Sequence, residues 1–189
     1  MSRDHFHEQL GHGKSLVLKM GDEIQSMLSE MIQALVSQDR DKAQSIERRE
    51  GVLDEIELEI EHLCLKLLAL QQPVAIDLRY LAAIMKISAD LERIGDEAQK
   101  IARMGKLIHE QDRRLSTKFS EVRYASSVAL DMVKTALDAF ARLDISAAAK
   151  VVKQDAVVDE LDNNCAHDGA QGRAAPARKR RAAHHRGGD

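Results

Sequence analysis

The sequence predicts an all-α protein whose helices pack side by side in bundles. Between residues 50 and 101, leucine and isoleucine recur at alternating steps of three and four, the spacing of a buried helix face. Aromatic residues make up 3% of the chain, and Pro73 and Pro176 are its two prolines. No run between turn signals alternates apolar and polar residues as a half-buried strand does, so the composition favours helices throughout.

Helices one and two are placed by their apolar rows. Helix one covers about residues 4–37, and Asp39 is a candidate N-cap for helix two, which extends to about Leu70. The row of helix one comprises Val17, Met20, Ile24, Met27, Met31 and Leu35. The row of helix two comprises Leu53, Ile56, Ile60, Leu63, Leu67 and Leu70.

A turn near Pro73 separates helices two and three. Because proline has a fixed φ and no N–H, it suits the first turn of a new helix, and helix three is predicted from about Pro73 to Lys106. Helices two and three then form an antiparallel hairpin. Ser116 is a candidate N-cap for helix four, which reaches about Leu143. The row of helix three comprises Ile84, Ile87, Leu91, Ile94, Ala98 and Ile101.

Each arm of the hairpin carries two acidic residues four positions apart, Glu50 with Asp54 and Glu92 with Asp96. This spacing places each pair on one side of its helix. Both pairs are equally far from position 73, so the carboxylates should meet at one level, about 30 Å from the turn. Such carboxylates repel one another unless protons or cations bridge them, and oxygen ligands suit Mg²⁺, Ca²⁺, Mn²⁺ or oxo-bridged iron. The alternative is a solvated acidic face, because these residues lie off the apolar rows.

The chain also repeats itself at an offset of 105 residues, because residues 34–56 align with 139–161 without a gap. In this alignment Asp155 and Asp159 take the places of Glu50 and Asp54. A duplicated three-helix unit is the simplest explanation. It predicts a first repeat over residues 1–112 and an incomplete second repeat over 113–162, whose counterparts of Glu92 and Asp96 would fall near positions 197 and 201.

The last residues, 163–189, differ from the rest in composition. This stretch is basic and contains no Leu, Ile, Val, Met or Phe, so it cannot continue an apolar row. One interpretation is a truncated or out-of-frame end, since Ala, Arg, Gly, Pro and His are frequent products of G+C-rich codons. The alternative is a genuine disordered basic tail whose Arg-Lys-Arg-Arg segment contacts an anionic partner.

The remaining composition narrows the function classes. Cys64 and Cys165 do not form a Cys-x-x-Cys pair and are expected to be free thiols in a reducing cytosol. The N-terminus lacks the apolar core of a signal peptide, and no stretch is long enough to span a membrane. The formal net charge is −3, with an acidic body, which argues against nucleic-acid binding. We therefore expect a cytoplasmic protein.

Enzymatic patterns are weak. Glu59 and His62 form one Glu-x-x-His motif, but a ferritin-like di-iron protein needs such a motif on each of two helices. A ferritin-like bundle with metal or redox chemistry is nevertheless kept as an alternative. His62 and His109 are weak candidates for histidine phosphotransfer. No nucleophile–base pair or phosphate loop is visible, so the protein is predicted not to be an enzyme.

Two segments resemble the PhoU family of phosphate-transport accessory proteins: Pro-Val-Ala-Ile-Asp-Leu-Arg at 73–79 and Leu-Glu-Arg-Ile-Gly-Asp-Glu-Ala-Gln-Lys-Ile-Ala at 91–102. His-Phe-His-Glu-Gln-Leu near the N-terminus and Met20-Gly21 are also similar to that family. The resemblance covers about residues 5–161 and implies tandem three-helix bundles. It also implies multinuclear metal clusters, with iron first and zinc, manganese or magnesium as alternatives. The implied ligands are Glu50, Asp54, Glu92, Asp96, Asp155 and Asp159, with two further carboxylates needed for the second cluster.

The resemblance implies a role as well. Members act as negative regulators between the phosphate ABC transporter, through its ATPase subunit, and the sensor histidine kinase of the phosphate regulon. Asp77, Arg79 and Arg93 are the expected partner-contact residues, and a homodimer is expected. An accessory protein of another phosphate transporter is the alternative within the same fold.

Overall fold

The computed structural model of the protein describes residues 3–37, 39–110, 119–156 and 158. The described residues form α1 (Arg3–Ser37), α2 (Arg40–Gln71), α3 (Ala75–Glu110) and α4 (Phe119–Arg142), followed by a helical stretch, α5, over residues 145–156. No strand occurs in these ranges, and the all-α prediction is confirmed. Asp159 and residues 163–189 lie outside the described residues, so the proposed tail stays a prediction.

The first three helices form a bundle in which each packs against the other two. The apolar rows expected from the sequence supply most of its core. Fully buried members of the rows are Val17, Met20, Ile24, Met27, Ile60 and Ile84, each 0% exposed. Burying a side chain of this size contributes about 2 kcal/mol, so this core fixes how α2 and α3 lie relative to each other.

The helix α4 packs against α1 and runs antiparallel to it. Lys14, near the start of α1, donates a hydrogen bond from Nζ to the backbone carbonyl of Ala141 at 2.5 Å, near the end of α4. A cation in this place also interacts favourably with the helix dipole. Farther along, the Leu137 side chain occupies the space where a Cβ of Gly21 would be. The two helices approach closely because position 21 has no side chain.

The helix boundaries follow from local capping. Asp39 is the N-cap of α2, as predicted, and its carboxylate accepts hydrogen bonds from the N–H groups of Asp41 and Lys42 at 3.0 and 3.3 Å. The predicted cap Ser116 lies outside the described residues. None of the helices in the described ranges is long and apolar enough to cross a bilayer.

The turn between α2 and α3 differs from the prediction. Pro73 does not open α3: residues 72–74 are not helical, and α3 begins at Ala75. Proline disfavours the right-handed helical conformation in the residue before it, and Gln72 adopts φ 44° instead, which ends α2. Ala75 also has a positive φ, 50°. Two left-handed residues therefore reverse the chain, and Leu70, predicted as part of the apolar row, is 62% exposed at this end of the bundle.

Candidate functional site

The paired helices α2 and α3 bring four predicted carboxylates together at the protein surface. Burial raises the pKa of Glu92 above its ordinary value of 4.5. Neighbouring negative charges raise this pKa further, and in decreasing order of effect they belong to Asp96, Glu57, Asp54 and Glu50. These side chains therefore lie close enough to repel one another, and the repulsion favours a bound proton or cation. We call Glu50, Asp54, Glu57, Glu92 and Asp96 the acidic cluster.

Polar partners stabilise one end of the acidic cluster. Gln99, which is 8% exposed, donates a hydrogen bond from Nε2 to Oε2 of Glu50 at 3.0 Å. Lys100 places Nζ 3.6 Å from Oδ2 of Asp96, and this lysine side chain is 54% exposed. Among the described residues, no ion pair involves Asp54 or Glu92. Most of the negative charge of the cluster is thus not neutralised by the protein.

A glycine sets the distance between the two helices at this level. Gly95 is buried in α3 between two members of the cluster, and a Cβ there would lie 2.6 Å from Cδ1 of Leu53. Leu53 immediately precedes Asp54 on α2. Because glycine has no side chain, α3 approaches α2 closely enough for the carboxylates of both helices to interact.

The sequence analysis missed Glu57. Its pKa is raised by burial first and then by the charges of Asp54 and Glu61. Glu57 follows Asp54 by three positions, which places both on one side of α2. The spacing of three between Asp54 and Glu57 is the sequence signal for this additional carboxylate.

The donor set fits a hard cation in its chemistry, because every member of the acidic cluster offers carboxylate oxygens. The side chains do not, however, surround one point: in the part of the chain that the structure describes, no three His, Cys, Asp or Glu residues are grouped closely enough to hold a metal ion. The cluster therefore supplies charge and oxygen ligands distributed along two helices rather than one enclosed coordination sphere.

The other predicted ligands and the Glu-x-x-His motif lie elsewhere. Asp155 is exposed on α5. Glu59 and His62 are both exposed on α2, and Oε1 of Glu59 lies 3.3 Å from Nε2 of His12 of α1. A ferritin-like centre requires ligands that project into the bundle interior, and these two side chains do not.

The predicted partner-contact residues Asp77 and Arg79 lie at the end of the bundle formed by the α2–α3 turn, whereas Arg93 is exposed on α3 near the acidic cluster. The turn is apolar as well as charged. Four exposed apolar side chains surround it: Leu70, Val74, Ile76 and Leu78, with 62, 73, 78 and 44% exposure. We call residues 70–79 the tip. Its exposed apolar side chains are a feature of surfaces that bind other proteins.

Comparison with known proteins identifies the family. The model of the PhoU domain matches residues 17–105 and 122–182. The chain belongs to the PhoU family. The two matches begin 105 residues apart, which is the offset of the internal repeat. Two matches to the same domain are what a duplicated PhoU unit would produce.

Individual PhoU proteins resemble the chain in sequence and structure. The phosphate-specific transport system accessory protein PhoU homolog of Pseudomonas aeruginosa is 36% identical over 154 residues, covering 82% of this chain and 63% of that protein. The protein of the same name from Aquifex aeolicus is 33% identical over 154 residues, covering 82% and 69%. The crystal structure of PhoU from Pseudomonas aeruginosa superposes with a TM-score of 0.85 at 34% identity, covering 88% of this chain and 79% of that one. The fold is therefore a PhoU-like helical bundle.

Proposed function

We propose that this protein regulates phosphate uptake and phosphate-starvation signalling as a negative regulator. In this proposal it binds the ATPase subunit of the phosphate ABC transporter and the sensor histidine kinase of the phosphate regulon. The observation that carries the proposal is the 36% identity with a relative named as an accessory protein of a phosphate-specific transport system. The chain spans 63% of the length of that relative.

The tip is the surface that we assign to partner binding. Val74 and Ile76 are 73% and 78% exposed, and burying two such side chains in a complex contributes about 2 kcal/mol each. Asp77 and Arg79 follow them on α3 and would set the orientation of a partner through charge pairs.

Binding of the purified ATPase subunit of a phosphate ABC transporter to immobilised protein tests this assignment. We expect Val74→Ser/Ile76→Ser to weaken binding by about tenfold or more, because each loses its buried apolar contact. The matched control is Val152→Ser/Ile145→Ser, which changes the same residue types at 75% and 85% exposure on α5. Equal loss in both variants would contradict the assignment, and binding only to the ATPase of a different phosphate transporter would identify the alternative partner.

We further propose that the acidic cluster binds cations. Their role would be structural, by holding α2 against α3, or regulatory, and not catalytic. Iron is the first candidate, followed by zinc, manganese and magnesium. The support is the raised pKa of Glu92, which burial raises first and the neighbouring negative charges raise further, because a cation would relieve the repulsion among these charges. The four residues that would hold the cations are Glu50, Asp54, Glu92 and Asp96.

Metal content of the purified protein, measured by mass spectrometry, tests the cation proposal. We expect Glu92→Ala/Asp96→Ala to lose bound metal because two oxygen ligands are removed. The control is Asp22→Ala/Asp131→Ala, which removes two exposed carboxylates outside the cluster. Unchanged metal content in the Glu92/Asp96 variant would refute the proposal without affecting the regulatory role.

A further inference from the structure

A cleft separates α3 from α4. The helix α4 packs against α1, and in the described ranges no Cα atom of α4 lies within 8 Å of a Cα atom of α3. Directly packed helices bring some Cα atoms within about 6 Å of each other, so α3 and α4 stand farther apart than packed neighbours. The space between them is a cavity of about 230 Å³. Apolar side chains of both helices line it: Ile87, Leu91, Ile94, Val133, Leu137 and Phe140.

The interior of the cleft is apolar. Leu91 and Leu137, 4% and 8% exposed, lie at its floor, and the four other apolar lining residues form half-buried walls. Asp90 and Ala136 also line the cleft and are exposed, so they lie at its mouth. Oδ2 of Asp90 lies 3.4 Å from Nζ of Lys86. Because the floor and walls consist of hydrocarbon side chains, the cleft suits an apolar group.

The size of the cleft points to a single aromatic ring. An apolar cavity of about 150 Å³ accepts benzene, so a cleft of about 230 Å³ holds the ring of one aromatic side chain. Pockets for metabolite-sized or drug-sized ligands are larger, about 300–1,000 Å³. The cleft is thus too small for such a ligand, whereas a protein partner often binds through one aromatic side chain inserted in a pocket.

The cleft is continuous with the tip along α3. Ile76, Tyr80 and Ile87 follow one another at steps of four and seven, which places them on one side of the helix. Ile76 belongs to the tip and is 78% exposed. Tyr80 stacks on Phe140 of α4, with ring centroids 6.0 Å apart, at the end of the cleft nearest the tip. From Ile76 to Ile94 this side of α3 is about 27 Å long, a length that one helix of a partner can cover.

We propose that the protein partner bound at the tip places one aromatic side chain in the cleft between α3 and α4. This inference rests on the proposed function, because it takes the tip as the partner-binding surface, and it adds the chemical nature of the anchor. The ring would contact Leu91 and Leu137 at the floor, and the partner backbone would pass the mouth at Ala136. No residue outside the described ranges is Phe, Tyr or Trp, so those segments cannot supply the ring.

Methyl NMR of the full chain with N-acetyl-L-phenylalanine amide tests the cleft itself. This probe carries the aromatic side chain on a peptide-like backbone. With isotope-labelled Ile, Leu and Val methyl groups, we expect saturable shifts at Ile87, Ile94 and Val133. N-acetyl-L-alanine amide, the matched probe without the ring, should shift none of them. No shifts with the phenylalanine probe would overturn the inference. Shifts with toluene alone would overturn it too, because a free apolar molecule would then be the occupant.

Filling the cleft should block the probe. Ala136→Phe places a ring at the mouth and should weaken binding by about tenfold or more, and Ala136→Leu, with a smaller side chain, should weaken it less. Ala136 is exposed, so both variants should fold, which circular dichroism checks. Ala148→Phe, at an exposed alanine of α5, is the matched control and should bind like the unmodified protein. Unchanged binding by Ala136→Phe would place the probe elsewhere and overturn the inference.

The same variants separate this inference from the proposed function. We expect Ala136→Phe to weaken binding of the ATPase subunit of a phosphate ABC transporter by about tenfold, as Val74→Ser/Ile76→Ser does. Weaker binding in the tip variant alone would overturn the anchor in the cleft and leave the tip assignment intact. If the unmodified protein does not bind the subunit, that partner assignment fails, and the NMR titration still decides whether the cleft accepts a ring. A dimer in sedimentation that Tyr124→Ser dissociates would make an exposed tyrosine of a second copy the occupant and overturn the inference.

Discussion

The substitution Gly95→Ala is expected to destabilise the protein, although alanine is the better helix former. A Cβ at position 95 would lie 2.6 Å from Cδ1 of Leu53 and 3.3 Å from Cδ1 of Ile24. These side chains are 1% and 0% exposed, so neither can move into solvent. The gain in helix propensity is about 1 kcal/mol, whereas overpacking of a core costs about 1–3 kcal/mol. We therefore expect the free energy of unfolding to fall by about 1 kcal/mol.

A second glycine provides the matched control. Gly51 lies within α2, and a Cβ there would have no neighbour within 4 Å. Gly51→Ala should raise the free energy of unfolding by up to about 1 kcal/mol, because it gains helix propensity without a clash. Urea unfolding followed by circular dichroism measures both variants, and the difference between them isolates the packing cost of about 1–3 kcal/mol at position 95. If both alanines stabilise the protein equally, the close approach of α3 to α2 at Gly95 is refuted.

Three further predictions concern other contacts. Gly21→Ala should displace Leu137 and speed amide hydrogen exchange in α4 relative to α2; unchanged protection of α4 would contradict this. The pKa of Glu92 is raised in the folded state, so the free energy of unfolding should fall as pH rises through the folded pKa. In urea unfolding, Glu92→Gln should make the free energy of unfolding depend less on pH, and an unchanged pH dependence would contradict this prediction. Arg49→Met leaves two half-buried glutamates of α1 unpaired and should lower the free energy of unfolding by about 1–2 kcal/mol. Arg103→Met, at an exposed pair, should lower it by less than about 0.5 kcal/mol. Equal decreases in melting temperature for the two variants would contradict the role assigned to burial.

The parts of the fold that depend on periodicity could be predicted from the sequence. The rows through Met20, Ile60 and Ile84 became the core because three-to-four spacing determines which face of a helix is buried. The proximity of Asp54 and Glu92 followed from their equal distance to the turn. Neither inference required knowledge of how the helices pack in three dimensions.

Features that depend on neighbours from other helices could not be predicted in this way. Glycine is a poor helix former, but the close approach to Leu53 that explains Gly95 inside α3 appears only when α2 and α3 are packed. Leu70 continues the apolar row of α2, yet it lies at the end of the bundle, beyond the helices that could cover it. The left-handed conformation of Ala75 likewise has no sequence signal, since alanine rarely adopts it.

The regulatory role is tested most directly by transcription from a phosphate-starvation promoter in a bacterium whose own PhoU relative has been deleted. With phosphate in excess, expression of this protein should reduce reporter activity, because the proposed negative regulator would restrain the starvation response when phosphate is plentiful. Val74→Ser/Ile76→Ser, made at the same level, should leave the reporter active. A reporter that stays fully active with the unmodified protein, present at a normal level and folded, would contradict the proposed role as a negative regulator of the phosphate-starvation response.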